Sequence, residues 1–140
     1  MKALITGGAG FIGGNIAGRL IQRGERVVIL DNLFRTGARS NLQWLRSLGP
    51  LEFVQGDIRD RKQVDALFQE HPDIDVVYHM ASQVAVTTSV EKPREDFEIN
   101  ALGTINVLEA IRTGPADPIL VFASTNKVYG GMEDVRIEET

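Results

Sequence analysis

Lys2-Ala3-Leu4-Ile5-Thr6-Gly7-Gly8-Ala9-Gly10-Phe11-Ile12-Gly13 begins as a short apolar run, breaks into glycine and passes directly into a helical pattern. A strand that opens a helix through glycines is built to hold phosphate. Glycine permits the tight turn and brings backbone close to a diphosphate. The helix start adds unpaired N–H groups and the positive end of its dipole. The glycines can be read as Gly8-x-Gly10-x-x-Gly13 or as Gly7-x-x-Gly10-x-x-Gly13. No Gly-Lys-Ser/Thr follows them, so a Walker-type loop is disfavoured.

Outward from this loop, apolar runs recur at residues 3–5, 27–30, 51–54, 76–78 and 119–122. Each is nearly continuous in apolar character, as strands covered on both faces of a parallel sheet are. Helical patterns separate them. Ile12, Ile16 and Leu20 recur every four residues before Gly24. Ser40 and Gln43 read as a capping box for a helix over 41–48, and Asp60 with Gln63 as the cap of a helix running to Gln69. Phe97, Ala101, Thr104, Leu108 and Ile111 place one apolar stripe on a single long helix ending at Gly114 and Pro115. Strands alternating with helices predict right-handed crossovers and a doubly wound α/β sheet, here stopping after about five strands.

Asp31 closes the second run, eighteen positions beyond Gly13. A carboxylate there accepts from a ribose 2′-hydroxyl and repels a 2′-phosphate, which favours NAD over NADP. Arg35 and Arg39 follow in a polar loop that could tolerate a phosphate. The remaining composition is that of an ordinary globular chain. The 140 residues are 43% hydrophobic, with a net charge of −4 and no cysteine. These values exclude a disulfide framework and thiolate metal sites, and give no reason to expect nucleic acid as a partner. The first apolar run is too short for a signal peptide and no later one spans a membrane, so the expected location is cytoplasmic. His71 reads as a loop residue, Trp44 as a packing residue, and His79 as a side chain packed at a strand end.

Several blocks together resemble the extended short-chain dehydrogenase/reductases, the NAD-dependent epimerase/dehydratase family. They are Thr6 to Gly13, Asp31-Asn32-Leu33, Gly56-Asp57-Ile58-Arg59-Asp60, His79-Met80-Ala81-Ser82, Asn100-Ala101-Leu102-Gly103-Thr104 and Ser124-Thr125-Asn126-Lys127-Val128-Tyr129-Gly130. The resemblance implies an NAD-binding Rossmann domain over residues 1–140. It puts Gly7, Gly10, Phe11, Ile12, Gly13, Asp31 and Asn32 at the cofactor, with Asp57 and the Ile58 backbone along the adenine. Met80, Ala81 and Ser82 would face the phosphates and ribose, Ser124 would lie past the nicotinamide, and Asn100 would stand near the site bonded to backbone. Thr125 matches the catalytic Ser/Thr that bonds the reacting sugar oxygen. Dehydratases of the family carry Thr-Asp-Glu where this chain has Thr125-Asn126-Lys127, so elimination of water loses its acid and base there. With Gln83 to Ser89, the run looks most like the CDP-paratose (CDP-tyvelose) 2-epimerases, and the UDP-glucose 4-epimerases are the nearest rival.

The implied reaction is removal and return of a hydride on a CDP- or UDP-sugar. The family's Tyr-x-x-x-Lys base is missing, since the tyrosines are Tyr78 and Tyr129 and neither has lysine four positions on. The expectation is therefore an amino-terminal portion that binds NAD without turning over sugar. Its uncovered fifth strand is expected to favour self-association, and the assembly expected is a homodimer. A non-catalytic NAD-binding module and a flavodoxin-like binding domain are the alternatives from other classes.

Overall fold

The computed structural model describes residues 1–125. In chain order the elements are β1 (Lys2–Thr6), α1 (Phe11–Gln22), β2 (Arg26–Asp31), α2 (Ala38–Leu48), β3 (Glu52–Gln55), α3 (Arg61–Glu70), β4 (Val76–His79), α4 (Val86–Glu91), α5 (Pro93–Phe97), a π-helical turn (Glu98–Leu102), α6 (Gly103–Thr113) and β5 (Ile119–Phe122). All five apolar runs are strands. They form one parallel sheet in the order β3-β2-β1-β4-β5.

Side chains alternate across the sheet, and both faces are covered. Leu4, Val28, Leu30 and Val77 pack with Val64, Leu67 and Phe68 of α3 and Val107 and Ala110 of α6. Ala3, Ile5, Val27 and Ile29 pack on the opposite face with Ala17, Leu20 and Ile21 of α1 and Leu45 of α2. Two cores therefore share each central strand, which is why those strands show no polar alternation. Cover fails at β5, where Ile119, Val121 and Phe122 are exposed.

Three helical expectations are corrected. In α1 the buried face carries Gly13, Gly14, Ala17, Gly18, Leu20 and Ile21, while Ile12 is 60% exposed and Ile16 only partly buried. Small residues face inward because this helix lies so close to its own loop and to α2. A Cβ on Gly13 would strike the Gly7 carbonyl, and one on Gly18 would stand 2.9 Å from the Trp44 ring. Trp44 itself is only half-buried.

In α2 the Ser40 capping box does not form. The helix begins at Ala38 after Gly37, which has φ +89° and no side-chain cap. Ala38, Leu42 and Leu45 are the buried positions, and burying Ala38 pulls the start forward. Asn41 instead donates to the Ala9 carbonyl at 2.9 Å.

The long stripe from Phe97 to Ile111 is the third correction. The π-helical turn rotates α6 relative to α5, so Phe97 is 63% and Leu108 44% exposed, and the buried residues of α6 are Gly103, Asn106, Val107 and Ala110. An amide decides the face. Asn106 donates to the carbonyls of Ile58 (2.9 Å) and Arg59 (3.2 Å) in the core, and Gly103 lets Ile58 lie against the helix. The α3 cap forms as expected, with the Asp60 carboxylate accepting from the amides of Lys62 and Gln63, but Gln63 reaches the Asp57 amide instead of closing a box.

Replacing Asn106 leaves two carbonyls at the buried contact without this donor. Asn106→Ala is expected to lower stability by about 1–3 kcal/mol, read as a lower urea midpoint at unchanged slope. An unchanged midpoint would count against this anchor.

Candidate functional site

The strand order reverses beside β1, because the chain leaves it toward β2 on one side and returns as β4 on the other. The loops leaving β1 and β4 separate at that point and open a crevice beyond the strand ends. There the structure has a cleft of about 340 Å³. Its lining brings together Gly7, Gly10, Asp31, Asn32, Asp57, Ile58, Met80, Ala81 and Ser82, nine of the side chains and backbone positions expected from the sequence.

The glycine loop is held by close packing. Gly7 has φ +67°, donates to the Leu30 carbonyl at 2.8 Å and receives the Gly10 amide at 3.0 Å. A Cβ on Gly7 would sit 2.8 Å from both Cα and N of Ala81. At Gly10 an added Cβ would meet only the Gly7 carbonyl, so the space beyond it is open. No side chain caps α1, so its first amides keep their donors for a ligand. The Phe11 and Ile12 side chains do not enter the cleft. They are exposed and border a separate groove with Tyr78, Arg19 and Arg23, so what they can offer a phosphate is backbone N–H. Gly13 is buried against Gly7 and serves the packing of the loop.

Asp31 faces the loop. Its Oδ2 accepts from the Ala9 amide at 3.0 Å and its Oδ1 from Leu33 at 2.8 Å, leaving each oxygen further acceptor capacity toward the cleft. Asp57 forms the adjoining wall. Arg59 bonds it through Nε (3.0 Å) and Nη2 (2.8 Å), and Asn32 adds a third side-chain donor at 2.9 Å. These donors, Arg59 first, hold the Asp57 carboxyl down at about 2 against the opposing effect of burial. Asp57 is therefore an ionised, heavily bonded organiser of this wall. Ile58 points its side chain into the core.

Asn100 is bonded to backbone beside the cleft. Its Oδ1 accepts from the Gln83 amide (2.8 Å), and its Nδ2 donates to the Gln83 carbonyl (3.0 Å) and to Asp96 Oδ1 (3.1 Å). Ser124 and Thr125 are exposed just beyond β5 and do not line the cleft, while the expected block continuing through Lys127 and Tyr129 lies outside the described residues. Phe34, Arg35 and Gln83 line the cleft without having been assigned to it from sequence. The polar loop after Asp31 was the available signal for Arg35. His71 lies in the loop just after α3, as read from the sequence, and is buried there, with its Nδ1 3.0 Å from Lys2 Nζ.

His79 ties the cleft together from below, as its strand-end position suggested. Thr104 Oγ1 gives its one proton to the Asn100 carbonyl (2.7 Å), so His79 Nε2 must donate to Thr104 (3.0 Å). Nδ1 is then the bare nitrogen and accepts from Thr6 Oγ1 (2.6 Å), which in turn accepts from the Ala81 amide (3.2 Å). Burial keeps the imidazole neutral, and each hydrogen in this chain then has one place. Its ring also stacks on Phe122 with centroids 5.8 Å apart.

Residues 4–140 match the family described as GDP-mannose 4,6 dehydratase. The chain belongs to this family. It is 48% identical to the CDP-paratose 2-epimerase of Salmonella typhi over 140 residues, covering all of this chain and 41% of that protein. Among solved structures it is similar to the UDP-glucose-4-epimerase of Stenotrophomonas maltophila with bound NAD and formylated UDP-arabinopyranose. The TM-score is 0.85 at 38% identity, covering 95% of this chain and 39% of that one. The UDP-glucose 4-epimerase of Thermus thermophilus in complex with NAD matches with a TM-score of 0.76 at 45% identity, covering 89% and 38%. The chain spans about two fifths of the length of most of these curated relatives, and the whole length of one. The family expected from the sequence blocks is thus the family found.

Burial pushes the His79 imidazole from 6.5 down to about 4. The unfolded chain gains this proton below 6.5 and the folded chain only near 4, so the contribution to stability is full above 6.5 and is lost as the pH falls toward 4. The lost contribution amounts to about 3 kcal/mol. His79→Gln is expected to flatten that limb of stability against pH in urea titrations. Parallel limbs for the two proteins would contradict it.

Proposed function

We propose that residues 1–140 are the NAD-binding portion of a nucleotide-sugar epimerase. The enzyme would take a hydride from a sugar carbon of a CDP- or UDP-sugar and return it to the opposite face. One observation carries this reading: the Asp31 carboxylate is anchored to the glycine loop at the strand-order reversal, beside the open start of α1. The similarity to epimerases whose structures contain NAD supports the same reading.

Bound NAD would supply the hydride acceptor and donor. The α1 amides and the Gly7–Gly10 turn would receive the diphosphate, and Asp31 would accept from the adenosine ribose. Asn32, Asp57 and the Ile58 backbone would border the adenine. Met80, Ala81 and Ser82 would run along the phosphates and ribose, Ser124 would lie by the nicotinamide, and Thr125 would bond the reacting sugar oxygen. The working protein would be a cytoplasmic homodimer. Among the described residues no helix is long and apolar enough to cross a membrane.

A 4-epimerase acting on a UDP-sugar is the second reading, supported by the UDP-glucose 4-epimerases among the similar structures. Dehydration is less favoured, since Asn126 and Lys127 stand where elimination needs carboxylates.

Calorimetry on the 140-residue chain tests the cofactor assignment. NAD is expected to bind at least about tenfold more tightly than NADP, because a 2′-phosphate would meet the Asp31 charge. Asp31→Ala, with its fold checked by circular dichroism, is expected to weaken NAD roughly 10- to 100-fold, the loss of charge-assisted hydrogen bonds. It should also narrow the gap to NADP. Equal affinity of the unmodified chain for both dinucleotides would remove the role given to Asp31, and binding of neither would remove the functional reading.

A further inference from the structure

The mouth of the cleft is bridged. One wall is the loop between β2 and α2, carrying Phe34 and Arg35, and the other is the loop after β4, carrying Ser82 and Gln83. Arg35 Nη2 donates to Gln83 Oε1 across this gap at 2.6 Å, joining positions 48 apart in the chain.

Both ends of the bridge are prepared for it. Asn100 clamps the Gln83 backbone through its amide and its carbonyl, and Gln83 Nε2 donates to the Ala85 carbonyl at 3.2 Å. With the amide nitrogen committed there, Oε1 has to present itself toward the cleft mouth. Opposite it, Leu33 has φ +56°, a left-handed conformation uncommon for a branched side chain. That conformation is held by Asp31 accepting the Leu33 amide and Asn32 accepting the Phe34 amide at 3.0 Å. The loop is thus bent so that Arg35 projects back over the cleft, while Phe34 stands 76% exposed at its edge. An exposed hydrogen bond contributes little to folding, yet one that must break before a ligand can pass acts on rates.

We propose that Arg35 and Gln83 form a clasp over the cofactor cleft that slows both the binding and the release of the dinucleotide, with Asn100 as its positioning residue. The clasp rests on the cofactor reading above. It also accounts for an arginine that follows Asp31 without serving a 2′-phosphate: its guanidinium is engaged with Gln83.

Stopped-flow fluorescence with NADH as the probe, and excess NAD to displace it, tests the clasp on the 140-residue chain. Arg35→Met changes an exposed side chain and Gln83→Leu a half-buried one at the cleft mouth. Each is expected to raise the association and the dissociation rates together by roughly tenfold, the factor that about 1.4 kcal/mol represents, and to move Kd far less. The double variant should match either single one, since both remove the same bond. A clasp-free cleft is indicated if neither rate moves. The proposal is equally overturned if Arg35→Met speeds only dissociation while Gln83→Leu is silent, because the guanidinium would then be touching the cofactor itself. If the unmodified chain does not bind NADH, the functional reading falls and the clasp falls with it.

Discussion

At Gly7 two stretches of backbone meet where one of them has no side chain to keep them apart. The loop leaving β1 lies against Ala81 so closely that a methyl group would stand 2.8 Å from its Cα and N. This contact fixes the distance between the ends of β1 and β4, and so the width of the crevice where the strand order reverses. Thr6 and His79 pair directly in the sheet register beneath it. Their side chains hydrogen-bond, and the chain continues to Thr104 and Asn100. A buried neutral imidazole with both nitrogens bonded avoids the cost of an unpaired polar group. It also connects the glycine loop to the segment that clamps Gln83.

The cleft walls are made of polar groups already engaged with their own scaffold. Asp31 is tied to Ala9 and Leu33, Asp57 to Arg59 and Asn32, and Asn100 to Gln83. Groups fixed in advance need little reorganisation when a ligand arrives, which is the condition for a polar site to bind well. The two carboxylates differ in electrostatics. Asp57 carries its own guanidinium partner, whereas among the described residues Asp31 is bonded only to neutral backbone amides in the hydrogen bonds resolved. The charge of Asp31 is therefore the one a ligand at the loop meets.

Much of this was legible in the residues. Each of the five apolar runs became a strand, and the central ones, β1, β2 and β4, are buried on both faces because nearly every position in them is apolar. Asp60 was recognisable as a cap, since a carboxylate just before a helix finds the orphan amides by local geometry alone. The misread faces have a common cause. Apolar spacing in α1 pointed to Ile12 and Ile16, but glycine and alanine take the inward positions where backbones approach. In α6 a side-chain amide, Asn106, outweighs the apolar stripe because two core carbonyls need its protons. Ser40 looked like a cap, yet burying Ala38 starts the helix three residues earlier.

What the residues determined on their own is local: where strands and helices form, where the glycines let the chain turn, and that a carboxylate follows the second strand. Those properties depend on neighbours a few positions apart, through backbone sterics and periodic burial. Tertiary structure alone decided that Arg35 meets Gln83, that Asn100 grips the backbone of that same glutamine, and that one histidine tautomer joins Thr6 to Thr104. These are contacts between segments 17 to 73 positions apart. No local pattern encodes them, because their geometry exists only once the sheet has set the distance between its loops.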